Sequence, residues 1–139
     1  MYKFISKSEN DTIEFANNLA NQLKNGDIIV LSGDLGSGKT KFTQGILKHF
    51  DLENEISSPT FTIVNEYHKD KTNIYHFDVY RVSDPDELFN IGIDEYFFGE
   101  GVCIVEWADL ILDILPENTK YIYLAYGENE GERVYKCTF

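Results

Sequence analysis

The segment Gly33–Thr40, with the sequence GDLGSGKT, carries the residue types that bind phosphate groups. It has the spacing G-x-x-x-x-G-K-[ST] of a P-loop, in which main-chain N–H groups at the start of a helix surround an anion. Gly36 and Gly38 let the backbone curve around the phosphates because they have no Cβ. Lys39 is expected to reach the β- and γ-phosphates, and the Thr40 hydroxyl is expected to bind Mg²⁺. The segment therefore predicts a site for a nucleoside triphosphate with Mg²⁺.

A P-loop also needs an acid from a neighbouring strand to hold or orient the metal ion. Glu106 follows the uninterrupted apolar run Val102–Val105, the pattern of a central strand beside the P-loop strand. Asp78 follows Ile74–Phe77, where His76 interrupts the apolar character. The pattern favours Glu106 as the metal-binding acid and leaves Asp78 as the second candidate. Either acid could instead be an ordinary solvated residue at the end of a strand.

The segment Ser57–Thr62, with the sequence SSPTFT, lies between the P-loop helix and the next predicted strand. In P-loop proteins this location often holds a switch segment whose hydroxyl group senses the γ-phosphate. Thr60 and Thr62 are the candidates for that role. An ordinary polar turn that Pro59 makes rigid explains the same residues equally well.

The elements around the P-loop alternate between helical and strand patterns. Ser8 is placed to cap a helix with apolar residues at helical spacing, and Asn25-Gly26 is expected to end it. The run Asp27–Ser32 predicts a strand that is buried on both faces and leads into the P-loop. Further elements are predicted as a helix after Thr40, a hairpin of strands 60–67 and 72–80 with the polar turn 68–71, a short helix 85–93 that ends at Gly92, and strands 102–105, 121–126 and 133–139.

This alternation predicts the fold class. Two fully apolar strands between helical segments indicate an α/β protein, a P-loop NTPase-like three-layer domain with a central mixed, partly parallel sheet flanked by helices. We expect residues 1–139 to form a single domain, because the length suits one hydrophobic core.

Composition excludes several classes of function. The formal net charge of −12 disfavours autonomous binding to the phosphate backbone of nucleic acids, and a solvated acidic surface explains it. No apolar run approaches the length of a membrane span, and the N-terminus lacks the apolar core of a signal peptide. Cys103 and Cys137 lie in apolar segments without a metal-binding spacing, so we expect buried, reduced thiols and a cytoplasmic protein.

Five sequence blocks in this order resemble the bacterial TsaE (YjeE) family. They are GDLGSGKT, SPTFT, YHFDVYR from Tyr75 to Arg81, DPDELFNIGIDEYF from Asp84 to Phe97, and VEW from Val105 to Trp107. The resemblance covers nearly the whole chain. It implies a P-loop ATPase required for the threonylcarbamoyl modification of adenosine 37 in tRNA, with ATP as substrate and Mg²⁺ as cofactor. It also implies that the protein acts beside the transferase proteins TsaD and TsaB and meets tRNA only through that complex.

The resemblance further implies roles for individual residues. Thr40 and Glu106 correspond to magnesium ligands, and Asp78 to a second acid near the metal. Trp107 is expected beside the site, in contact with the nucleotide or a partner. The ATP-binding residues implied by the P-loop and the family together are Glu9, Thr12, Gly33, Asp34, Gly36, Ser37, Gly38, Lys39, Thr40, Lys41 and Arg133. Lys39, Glu106 and Asp78 are the expected catalytic residues, and Thr60 and Thr62 correspond to the switch segment.

Other classes of nucleotide-binding protein fit the sequence less well. Small-molecule kinases commonly clamp phosphates with several arginines, and this chain has two, Arg81 and Arg133. Guanine-specific members of the superfamily carry N-K-x-D, which the sequence lacks. A binding module that is gated by the nucleotide and does not hydrolyse it remains an alternative at this stage.

Overall fold

The computed structural model describes residues 2–33, 38–52, 64–69, 72–79, 84, 86–106 and 108–139, with the backbone alone at 78 and 108–110. The strands and helices within these residues alternate along the chain as the sequence predicts. In chain order they are β1 (Tyr2–Ser6), α1 (Glu9–Leu19), a 3₁₀ turn (Ala20–Gln22), β2 (Ile28–Ser32), α2 (Lys39–His49), β3 (Val64–Lys69), β4 (Thr72–Asp78), α3 (Asp86–Asn90), α4 (Ile93–Phe97), β5 (Val102–Glu106), 3₁₀ turns (Ala108–Ile114), β6 (Lys120–Tyr126) and β7 (Arg133–Cys137).

Within the described residues, the seven strands form one sheet in the order β1-β7-β6-β2-β5-β4-β3. Strand β2 pairs in parallel with β5 and β6, and β4 pairs in parallel with β5. The pairs β1–β7, β6–β7 and β3–β4 are antiparallel. The sheet is therefore mixed with a parallel centre, which confirms the predicted α/β fold class.

The central strands are buried on both faces because helices cover each side of the sheet. Along β2, Ile29 and Leu31 belong to a core with Phe42 and Ile46 of α2, which we call the α1/α2 core. The alternate residues of β2 pack on the opposite face against α3 and α4, in what we call the α3/α4 core. This arrangement explains why β2 and β5 are continuous apolar runs without the alternation of a half-exposed strand.

Helices α1 and α2 pack against each other unusually closely at Gly45. A Cβ at this position would lie 2.4 Å from the main-chain oxygen of Ile13 and 2.6 Å from the Ala16 Cβ.

Helix α1 begins as predicted, because the Ser8 hydroxyl accepts a hydrogen bond from the Asp11 main-chain N–H at 3.1 Å. The first turns of the two helices are also close to each other, because Lys41 of α2 forms an ion pair with Glu9 of α1.

Several local predictions need correction. Helix α1 ends at Leu19, and the 3₁₀ turn after it ends at Gln22, before the expected end at Asn25-Gly26. The hairpin turn was expected over residues 68–71, but β3 extends to Lys69, which pairs with Thr72, because polar residues are tolerated on an edge strand. The short helix is expected over residues 85–93; α3 spans only Asp86–Asn90 and ends, as predicted, at Gly92, whose backbone is left-handed (φ 79°) and whose N–H donates to the Phe89 oxygen, and a second helix, α4, begins at Ile93. Strand β1 was not predicted, because its mostly exposed residues show no apolar alternation.

The two cysteines are buried and free, as the sequence predicts. Burial raises the pKa of the Cys103 thiol to about 12 and that of Cys137 to about 11, so both thiols stay protonated at neutral pH. In the described part of the chain, no helix is long and apolar enough to cross a membrane.

The contact at Gly45 gives a prediction for stability. We expect Gly45→Ala to lower the free energy of unfolding by about 1–3 kcal/mol, because the methyl group would overlap the backbone of α1 and overpacking outweighs the gain in helix propensity. Urea unfolding followed by circular dichroism measures this change. Lys48→Ala, on an exposed position of the same helix, is the control. A Gly45→Ala variant as stable as the wild-type protein would contradict the close packing of α1 on α2.

Candidate functional site

The candidate site lies at the carboxyl ends of the parallel strands β2 and β5. Leu31 of β2 pairs with Glu106 of β5, so the acid lies beside the strand that leads into the Gly33–Thr40 segment. Ile104 belongs to the α1/α2 core, and by strand alternation Glu106 faces the same side of the sheet as α2. The expected neighbour relation between the P-loop strand and the Glu106 strand is therefore confirmed.

The start of α2 is formed by Gly38 and Lys39. Gly38 has a left-handed backbone (φ 107°), a conformation that disfavours any residue with a Cβ, and Lys39 is the first residue of the helix. The Lys39 Nζ donates a hydrogen bond of 2.8 Å to the main-chain oxygen of Gly33, at the end of β2. An ammonium group has three N–H donors, and a charged phosphate oxygen accepts more strongly than a neutral carbonyl. The lysine side chain is thus held between the start of α2 and the residue that follows β2.

The next two residues of α2 extend the site outward. Thr40 is an exposed residue in the first turn of α2. Lys41 Nζ lies 3.6 Å from Glu9 Oε2 in an exposed ion pair that joins the first turns of α2 and α1. An exposed pair of this kind adds little stability. The pair does, however, show that Glu9 and Lys41 lie on the same rim of the site.

Glu106 has a partner that the sequence analysis did not assign. Its side chain is only 10% exposed, and its Oε2 accepts a hydrogen bond from Nε2 of His76, a buried residue of β4. The His76 Nδ1 has no hydrogen-bond partner among the described residues, so the ring makes its hydrogen bond through Nε2. In the sequence, His76 is only a polar interruption of an apolar run. The signal that would have identified it is a polar residue inside an apolar strand, two positions before the strand's last residue. On a neighbouring parallel strand, such a residue faces the same side of the sheet as the acid at the strand end.

Asp78 occupies the position next to Glu106 in the sheet. The two residues are Cα partners in the parallel pairing of β4 with β5. Asp78 is thus one strand further from β2 than Glu106, and its side chain lies outside the described residues. Further predicted positions that lie outside the described residues are Asp34, Gly36, Ser37, Thr60, Thr62 and Trp107.

Arg133, which is predicted to touch the nucleotide, lies close to Gly38. Thr12, which is also predicted to touch it, is linked to Gly38 through Tyr135, whose hydroxyl lies 2.7 Å from the place of a Gly38 Cβ. The Arg133 Cγ is 3.7 Å from the place where a Gly38 Cβ would be, its guanidinium lies 4.6 Å from the Tyr126 ring centroid, and its Nη1 donates to the Glu132 main-chain oxygen. Thr12 is buried, and its hydroxyl is hydrogen-bonded to Tyr135 at 2.9 Å. The fold therefore brings residues from both ends of the chain to the base of the candidate phosphate loop.

Comparison with known proteins gives consistent matches. The sequence model of the family described as "Threonylcarbamoyl adenosine biosynthesis protein TsaE" matches residues 6–135. The tRNA threonylcarbamoyladenosine biosynthesis protein TsaE of Bacillus subtilis is 46% identical over 110 residues, covering 78% of this chain and 68% of that protein. The protein of the same name from Treponema pallidum is 38% identical over 120 residues, covering 86% and 88%.

A solved structure is also similar. The crystal structure of Bacillus subtilis YdiB matches with a TM-score of 0.79 and 38% sequence identity, over 98% of this chain and 83% of that chain. The family match spans every position of the candidate site, from Glu9 to Arg133.

The His76–Glu106 contact gives a prediction that needs no ligand. We expect His76→Leu to lower the free energy of unfolding by about 1–3 kcal/mol, because it leaves a buried carboxylate without its donor. His76→Gln, which keeps an N–H donor, should lose less. Urea unfolding without nucleotide or Mg²⁺ measures both variants, and His68→Leu on the exposed part of β3 is the control. Equal stability of His76→Leu and wild type would show that the contact contributes nothing.

Proposed function

Because the chain belongs to the TsaE family of threonylcarbamoyl adenosine biosynthesis proteins, we propose that it binds ATP with Mg²⁺ and hydrolyses it during threonylcarbamoylation of adenosine 37 in tRNA. The observation that carries the proposal is the placement of Lys39. Its ammonium group, at the N-terminus of α2, reaches the main-chain oxygen of Gly33, the residue that follows β2. This is the position from which a lysine can contact the β- and γ-phosphates of a bound nucleotide.

The residues around this lysine fit a magnesium ion. Mg²⁺ prefers oxygen ligands and usually keeps several waters while it binds one or two protein side chains and the phosphates of the substrate. Thr40 offers an exposed hydroxyl, and Glu106 offers a carboxylate of which Oε2 is engaged by His76. Asp78 is proposed as a second acid because it is the sheet neighbour of Glu106. We assign Thr40 and Glu106 as the protein ligands of Mg²⁺.

Hydrolysis requires that negative charge on the leaving γ-phosphoryl group be neutralised. Lys39 and the main-chain N–H groups at the start of α2 supply positive charge at the phosphates. Bound Mg²⁺ would neutralise further charge on the β- and γ-phosphates. The Glu106 carboxylate, oriented by His76, can accept a hydrogen bond from the attacking water. Thr60 or Thr62 would respond to the presence of the γ-phosphate.

We further propose that turnover serves an assembly with the transferase proteins TsaD and TsaB. The net charge of −12 suits docking onto a basic protein surface and makes direct contact with tRNA unfavourable. Among the described residues, Arg133 is the arginine near Gly38. Its guanidinium lies over the Tyr126 ring and donates a hydrogen bond to the Glu132 main-chain oxygen. We therefore expect slow hydrolysis by the isolated protein and faster hydrolysis in the complex, in the cytoplasm where tRNA is modified.

The central assignment is tested by Lys39→Ala. We expect this variant to lose ATP hydrolysis by at least about 100-fold, because an electrostatic donor to the developing charge is removed. Phosphate release from ATP is measured with the protein alone and with TsaD and TsaB present. Lys48→Ala, an exposed lysine at the other end of α2, should keep wild-type turnover.

The same assay separates the proposed function from its alternatives. Transfer of the γ-phosphoryl group to a nucleoside or sugar instead of water would identify a small-molecule kinase. Binding of ATP without any phosphate release, alone or in the complex, would identify a nucleotide-gated binding module. Unchanged hydrolysis by Lys39→Ala would contradict the assignment of the lysine.

The assignment of the metal-binding acid is tested by Glu106→Gln. We expect this variant to need a higher Mg²⁺ concentration for half-maximal phosphate release while its affinity for ADP without Mg²⁺ stays near that of the wild type. Asp78→Asn should raise the Mg²⁺ requirement less, because Asp78 lies one strand further from the loop. Glu100→Gln, an exposed acid before β5, is the control. A larger effect for Asp78→Asn would reverse the ranking of the two acids.

A further inference from the structure

Three buried hydroxyl groups form a chain of hydrogen bonds that ends beside Gly38, the residue before α2. Ser6 ends β1, Thr12 lies in α1 and Tyr135 lies in β7, and their exposed fractions are 0%, 3% and 0%. The Ser6 Oγ and Thr12 Oγ1 are 2.7 Å apart, and Thr12 Oγ1 and the Tyr135 hydroxyl oxygen are 2.9 Å apart. The chain joins parts of the sequence separated by 123 residues. Thr12 is predicted to touch the nucleotide, whereas Ser6 and Tyr135 have no assigned role in the site described above.

The direction of the hydrogen bonds is determined by the end of the chain at Ser6. Its hydroxyl donates to the main-chain oxygen of Ser8 at 2.8 Å. A hydroxyl has one hydrogen to donate, so Ser6 must accept from Thr12, and Thr12 must in turn accept from Tyr135. Burial raises the pKa of Tyr135, so its hydroxyl keeps that hydrogen at neutral pH. The Tyr135 oxygen therefore has only lone pairs to present to its other neighbours.

One of those neighbours is Gly38. A Cβ at Gly38 would lie 2.7 Å from the Tyr135 hydroxyl oxygen, so this oxygen occupies the space that any other residue would need. Gly38 is the left-handed residue directly before Lys39. The Tyr135 ring has little freedom to move away, because its centroid lies 5.6 Å from those of Phe42 and Phe15. The hydroxyl chain thus ends against the residue from which α2 and its lysine begin.

We propose that Tyr135 is a positioning residue for nucleotide binding, whose oxygen, oriented through Thr12 and Ser6, supports Gly38 and so aligns Lys39 and the N-terminus of α2 before the phosphates arrive. The proposal rests on the proposed function, since it concerns the same phosphate site. An oxygen that presents lone pairs repels a phosphate, so Tyr135 acts through the loop and makes no direct contact with the ligand. Such preorganisation improves affinity because less ordering remains to be done on binding.

Tyr135→Phe and Thr12→Val are the variants that test the proposal. Each removes a hydroxyl with little change in shape. We expect each to weaken ADP binding about three- to tenfold, the effect of roughly one net hydrogen bond. The double variant should be weakened about as much as either single one, because both substitutions break the same chain. Isothermal titration calorimetry with ADP is run at a temperature at which circular dichroism shows every variant folded.

Two controls separate positioning from a general loss of stability and from metal binding. Tyr123→Phe removes a half-exposed tyrosine hydroxyl from β6 and should leave ADP affinity unchanged. The loss in Tyr135→Phe should be equal with and without Mg²⁺, whereas that in Glu106→Gln should appear only with Mg²⁺. A purely structural role would lower the melting temperature without changing the affinity of the folded protein.

The outcomes are distinct. Wild-type affinity in folded Tyr135→Phe, when the wild-type protein binds ADP, would overturn the proposal and leave the proposed function intact. Weakened binding in Tyr135→Phe with normal binding in Thr12→Val would make the tyrosine a direct phosphate ligand and also overturn it. No ADP binding by the folded wild-type protein would remove the proposed function itself. Thr12→Val decides the question alone if Tyr135→Phe does not fold.

Discussion

The parallel pairing of β2 with β5 is the constraint on which the site depends. Parallel strands end at the same edge of a sheet, so the segment that follows β2 and the acid that ends β5 meet there. Their register is determined by burial, because shifting one strand by a single residue would exchange the α1/α2 core with the α3/α4 core. The same alternation that sorts the apolar residues between two cores places Glu106 on the side of the sheet where α2 carries Lys39.

The start of α2 is also supported by uncharged hydroxyl groups from three other elements. Strand β7 supplies Tyr135, and α1 and β1 supply the hydroxyls that orient it. Helix α1 reaches this position because Gly45 allows it to pack closely on α2. The start of α2 therefore lies between a charged edge, with Glu106 and its histidine, and a neutral support that ends at Gly38.

The central strands and the fold class could be predicted because their signals are local. The apolar run 28–31 has one structural interpretation because the P-loop motif follows shortly after it, and the apolar run 102–105 resembles it and ends in an acid. The predicted adjacency of Glu106 to the P-loop strand is correct for the same reason. Strand β1 could not be predicted, because an edge strand without apolar alternation takes its structure from its partner β7. The His76–Glu106 and Thr12–Tyr135 contacts join residues 30 and 123 positions apart, and no local pattern encodes them.

The central claim is that this chain binds the phosphates of ATP through Lys39 and the start of α2. Calorimetric titration with a non-hydrolysable ATP analogue in Mg²⁺ buffer, with and without TsaD and TsaB, tests it most directly. The account predicts saturable binding at one site per chain, abolished when Lys39 is replaced by alanine. Absence of saturable binding by the folded wild-type chain under both conditions would contradict it.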